Sequence, residues 1–190
     1  MSFFLMPTPV AARRLFLGRS GGLVLSGAAV ALLAGRHALA ATTSDAKASD
    51  VQILNTAIGA ELEAIAAYQL GAESKLLTQP VLNLALTFQG HHKEHVALLS
   101  STVEKLGGKA VVAKAKYNFP VDQLKSQLDV LKLAAKLEQG AVSAYLGAVP
   151  LFGNRDLSKA AASILGDEAM HWAVLRQAIG EAPVPSAFVS

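Results

Sequence analysis

Of the five histidines in the chain, three fall within GHHKEH at positions 90–95 and a fourth is His171. His92 and His95 are three residues apart, and so are Glu168 and His171 in the stretch EAMH. On a helix, positions i and i+3 share a face, so each pair aims two donors at one point. Imidazole nitrogen and carboxylate oxygen in that pattern are donors for a transition-metal ion. The chain has no cysteine. That excludes a disulfide scaffold, thiol catalysis, cysteine-ligated zinc and iron–sulfur clusters.

The two pairs belong to an internal repeat. GHHKEHVALL (90–99) lies over GDEAMHWAVL (166–175) at an offset of 76, placing His92 on Glu168 and His95 on His171. A second match, at an offset of 77, lies ahead of each stretch. ELEAIAAYQLGA (61–72) aligns with EQGAVSAYLGAV (138–149), pairing Glu61 with Glu138 and Tyr68 with Tyr145. The polar residues that coincide are of metal-ligand type. Glu61 and Glu138 each interrupt an apolar stripe, which is costly for a carboxylate unless it is paired or metal-bound. The candidate ligands are therefore Glu61, His92, His95, Glu138, Glu168 and His171. His91, Glu94 and Asp167 fall outside that set. His91 and Asp167 share the position before the first ligand of each pair, where a group supporting a ligand can stand. Tyr68 and Tyr145 read first as core aromatics with a polar tip, and alternatively as hydrogen-bond partners of the ligands.

Four long segments with helical apolar spacing carry these residues: about 50–74, 79–106, 121–149 and 156–179. Ser49 is the expected N-cap of the first and Thr78 of the second, with Pro80 in the first turn, and Gly107-Gly108 and Gly180 are stop signals. Short loops make antiparallel hairpins of the first and second helices and of the third and fourth. GGKAVVAKAKYNFP (107–120) joins the hairpins. Extended at about 3.3 Å per residue it reaches about 46 Å, enough to run the length of a helix of about 42 Å. The expectation is an all-α four-helix bundle with one long crossover between the second and third helices. Counted from the shared turns, all six candidate ligands lie at one depth, to within about 8 Å at 1.5 Å per residue.

The first forty residues read as an address. ARRLFLG carries Arg13 and Arg14, GGLVLSGAAVALLAG is apolar, and Ala38-Leu39-Ala40 is a small-x-small cleavage site. The pattern resembles a twin-arginine export signal, with an uncleaved membrane anchor as the alternative. Residues 41–48 then form a polar linker, and 49–190 the bundle with a short extended tail. Four of the 17 Lys and Arg precede Ala41 and all 14 Asp and Glu follow it. The basic balance thus belongs to the leader, and nothing points to nucleic acid.

From Ser49 to Gly180 the order Glu, His-x-x-His, Glu, Glu-x-x-His resembles the ferritin-like superfamily, most nearly its exported bacterial members. The resemblance implies a transition-metal centre, di-iron in the first instance. It further implies activation of O2 or H2O2, with ferroxidase, peroxidase or catalase-like activity in stress protection, and an external electron donor. Export through the twin-arginine machinery to the periplasm, as a monomer or homodimer, completes the expectation. His92 stands where the family pattern has glutamate, so the set becomes three Glu and three His. Manganese, zinc or a single ion then enter beside di-iron. The rival reading is a metal-free bundle with a degenerate site.

Overall fold

The structure, a computed structural model, describes residues 43–189. The expected signal segment, residues 1–40, lies outside the described residues. Among the described residues four helices form: α1 (Thr43–Glu73), α2 (Gln79–Lys105), α3 (Gln127–Ala148) and α4 (Arg155–Ala178). Single 3-10 turns at Val121–Gln123 and Val149–Leu151 precede and follow α3. No strand occurs among the described residues, and none of their helices is long and apolar enough to cross a membrane.

Two helix starts differ from the sequence expectation. α1 begins at Thr43 rather than near 50, so the polar stretch that follows is helix and Ser49 lies inside it. Its composition is no obstacle, because Ala and Lys are good helix formers. The third helix begins at Gln127 rather than near 121. After one 3-10 turn the chain is extended at Leu124, and Ser126 then caps α3 by accepting from the Asp129 N–H. At the second helix Thr78 is extended as an N-cap requires but makes no side-chain cap bond. Its hydroxyl instead donates to Gln127 Oε1 at 2.9 Å. Gly107 and Gly180 end α2 and α4 with φ of +82° and +83°, a region open to glycine without steric cost.

Polar contacts at the helix ends fix the topology. The Thr78 N–H also donates to Gln127 Oε1, at 2.8 Å, so α2 and α3 start at the same end and run parallel. At the opposite end, Asp50 of α1 accepts the backbone N–H groups of Gly153 and Asn154, in the turn before α4. Asn55 of α1 holds the start of the crossover, donating to Lys109 C=O and accepting from Val111 N–H. The crossover therefore runs the length of the bundle, as its reach requires.

The core lies in layers along the axis. One apolar layer gathers Leu54, Ile58, Leu99, Val103, Ile164 and their neighbours. The other gathers Phe88, Leu131, Ala135, Val142, Trp172 and Leu175. Between them, at mid-depth on every helix, sit the buried polar residues Glu61, His92, Glu138, Glu168 and His171. Burial of the two apolar layers, at about 25 cal/mol per Å² of area removed from water, offsets the cost of burying that polar layer.

Candidate metal centre

All six sequence-predicted residues meet in this layer. α1 supplies Glu61, α2 supplies His92 and His95, α3 supplies Glu138, and α4 supplies Glu168 and His171. Their donor atoms fall into two overlapping groups. Glu61, His92, His95 and Glu168 offer ligand atoms within 4.8 Å of one another, and so do His92, Glu138, Glu168 and His171. His95 is the least enclosed of the six, its side chain 12% exposed, while the other five are all but sealed.

Glu168 carries the largest share of unsatisfied polar atoms in the layer. It is fully buried, and neither of its oxygens makes a hydrogen bond. Yet Oε1 lies 3.1 Å from His95 Nδ1 and 3.5 Å from His92 Nδ1, and Oε2 lies 3.3 Å from His171 Nδ1. Glu138 Oε2 and His171 Nδ1 are likewise buried without a hydrogen bond. Buried polar atoms are nearly always hydrogen-bonded. Lone pairs that converge at 3.1–3.5 Å without hydrogen-bond alignment suit a common cation between them. By this test the residues fit a bound transition metal.

A shell of polar groups holds the donors. Tyr145 of α3 donates to Glu61 Oε1 of α1 at 2.6 Å. Crosswise, Tyr68 of α1 donates to Glu138 Oε1 of α3. Both tyrosines are thus core aromatics with a polar tip, and the tip makes the hydrogen bond that was the alternative expectation. The signal for it was their shared position, seven residues after each glutamate. Asp167 Oδ2 lies 3.4 Å from His95 Nε2, 3.3 Å from His171 Nε2 and 3.2 Å from His91 Nδ1. A carboxylate on that side favours the proton at Nε2 of His95 and His171 and leaves their Nδ1 lone pairs facing the centre. His91 Nδ1 also lies 2.9 Å from His171 Nε2. Asp167 and His91 stand on the outer side of the centre, their side chains 22% and 40% exposed.

The electrostatics follow from three carboxylates facing three imidazoles. Burial opposes charge on His92, but hydrogen bonds to Glu138 and Glu61 outweigh it and raise its pKa to about 10. His95 and His171 rise to about 9, against burial, because buried carboxylates stand close to them, Glu168 and Glu61 beside His95 and Glu138 and Glu168 beside His171. Glu61 is driven up by burial and, more strongly in total, down by His92 and His95. Glu138 is held below the carboxylate range by His171 and His92 despite its burial. Glu168 goes the other way: burial, with Glu138 beside it, lifts it. Burial raises both tyrosines, and the carboxylate each one faces adds to the rise.

The chain belongs to the ferritin-like domain family, whose model matches residues 49–181. No curated protein matches its sequence significantly. Among solved structures it resembles a conserved hypothetical protein from Mycobacterium tuberculosis, with 23% identity and a TM-score of 0.65 over 75% of this chain and 99% of that one. It also resembles the bacterioferritin of Desulfovibrio desulfuricans, described with its diiron site in different catalytic states. There the identity is 18% and the TM-score 0.68, over 74% of this chain and 84% of that one. A third is a ferritin-like, diiron-carboxylate protein from Bacillus anthracis, at 16% identity and TM-score 0.61 over 73% and 99%. At these identities the structural likeness establishes the fold alone.

Proposed function

We propose that Glu61, His92, His95, Glu138, Glu168 and His171 hold one or two transition-metal ions, iron first, with manganese and zinc as alternatives. The observation that carries this is Glu168, buried among three imidazoles with both oxygens free of hydrogen bonds. Diiron centres in two of the similar structures support iron. Such a centre supplies redox chemistry toward O2 or H2O2, which would make the protein an oxidoreductase of ferroxidase, peroxidase or catalase-like type.

The chain's own residues have definable parts in that reading. Glu61 and Glu138 bind as carboxylates, each oriented by the tyrosine of the opposite hairpin. Asp167 keeps His95 and His171 in the tautomer that binds through Nδ1. The apolar layers above and below exclude water, leaving the His95–Asp167–His91 side as the wetter approach. With no cysteine in the chain to carry a rubredoxin-type module, electrons come from an external donor. The arginine pair and Ala38-Leu39-Ala40 support export by the twin-arginine route to the periplasm, with cleavage after Ala40. Mass spectrometry of the mature N-terminus tests that; an intact leader in membrane fractions would favour the anchor.

Metal analysis of the folded, exported protein tests the central reading. At least one tightly held ion per chain is expected, lost in Glu168→Ala/His171→Ala. Trace metal that survives this double substitution sinks it. The specific support for the metal-free alternative is that three imidazolium and three carboxylate groups would balance one another without an ion.

A further inference from the structure

His92 occupies an unusual place among the six donors. The two four-residue groups share only two members, His92 and Glu168. Glu168 divides its carboxylate between them, Oε1 facing His95 and Oε2 facing His171. His92 divides its ring in the same way. Nδ1 lies 2.7 Å from Glu61 Oε2 and 3.5 Å from Glu168 Oε1, on the side of the first group. Nε2 lies 3.2 Å from Glu138 Oε1, on the side of the second. The ring is fully buried and hemmed in, with the rings of Tyr68, His95 and His171 centred 5.4, 6.0 and 5.5 Å away. Enclosed in this way, it cannot swing from one group to the other.

We infer that His92 is a bridging ligand, binding one metal ion through Nδ1 beside Glu61, His95 and Glu168, and a second through Nε2 beside Glu138, Glu168 and His171. The inference rests on the two-metal form of the proposed function. Each ion then has two nitrogen and two oxygen donors. Without His92 each group falls to three. Binding at both nitrogens requires the imidazolate, so both N–H protons of an imidazolium ring are released to solvent. The geometry separates this arrangement from one bridged by carboxylates alone. With metal–nitrogen bonds of about 2.0–2.1 Å on opposite sides of the ring, the ions stand about 6 Å apart. Without a ring between them, two metals in a shared site sit about 3.5–4 Å apart. A donor set richer in imidazole also moves the preference away from manganese and toward iron, zinc, copper or nickel, relative to a carboxylate-rich site.

The test uses the full chain loaded with cobalt(II) alone, its bound ions counted and then located by anomalous diffraction. Two ions about 6 Å apart with the His92 ring between them are expected. His92→Glu should keep two ions and contract their separation to about 3.5–4 Å. Two ions already at the shorter separation in the unsubstituted chain overturn the bridge and leave the two-metal reading standing. One ion or none per folded chain overturns the two-metal reading, and the bridge with it. The separation in the unsubstituted chain decides the matter even if His92→Glu does not fold.

Discussion

Tyr68 and Tyr145 tie each single carboxylate to the opposite hairpin, 70 and 84 residues away in sequence. Tyr145→Phe removes the hydroxyl that donates to Glu61 Oε1 and leaves a buried charged acceptor. We expect a loss of about 1–3 kcal/mol in thermal or denaturant unfolding and about 10–100-fold weaker metal binding by titration. Tyr68→Phe should act alike through Glu138. A purely packing role would leave metal affinity unmoved. The convergence of Glu61, His92, His95, Glu138, Glu168 and His171 was legible in the sequence because residue type, spacing and repeat all agreed on them. Their supports were less so, because a tyrosine tip reaching across the core and an aspartate serving two imidazoles are distances in space, with no spacing rule along the chain. Asp167 could be flagged by position alone, and its simultaneous approach to His91, His95 and His171 could not.

At the level of the helices, Gly90 and Gly166 coincide in the repeat, but a Cβ at either would meet no atom within 4 Å. Neither is needed for close packing, and each weakens its helix. Gly90→Ala and Gly166→Ala should each raise stability by about 0.5–1 kcal/mol, read as an increase in Tm. Asp50 works in the opposite sense. It is 4% exposed and accepts two backbone N–H groups of the turn before α4. Asp50→Ala should cost about 1.5–3 kcal/mol, with hydrogen exchange quickened first at Gly153 and Asn154. The helices were readable from apolar periodicity, and the crossover from its reach. The starts of α1 and α3 were not. Polar residues near 43–49 resemble linker as much as exposed helix. At α3, Pro120 drew the boundary forward, although Ser126 and Asp129 carry the true capping signal.

For the molecule as a whole, the buried charge layer makes stability depend on pH. In the metal-free protein, His92, His95 and His171 have folded pKa values of about 10, 9 and 9 against 6.5 unfolded. Their contribution is complete below pH 6.5 and is lost as pH rises toward 9 and beyond. Glu61 and Glu138, lowered from 4.5, contribute above that value and lose their contribution as pH falls below it. Glu168, raised, opposes them. Metal-free protein should thus be most stable in mildly acidic solution and weaken from about pH 6.5 to 9. Ligand binding by metal requires deprotonated imidazole, so the stabilisation added by metal grows over the same range. Melting curves at pH 6 to 9, with and without a chelator, should diverge as pH rises. Curves that coincide with and without chelator would show that no ion binds the layer.

The crossover gives this layer a further meaning. Residues 111–116 of the connection are exposed and include Lys114 and Lys116. Trypsin cutting there would divide the chain into an α1–α2 piece holding Glu61, His92 and His95 and an α3–α4 piece holding Glu138, Glu168 and His171. Neither piece contains either complete donor group. With the proposed ion bound, the protein is two half-proteins whose reunion that ion gates. Nicked protein should stay associated on size exclusion when metal is present and come apart more readily when it is withdrawn.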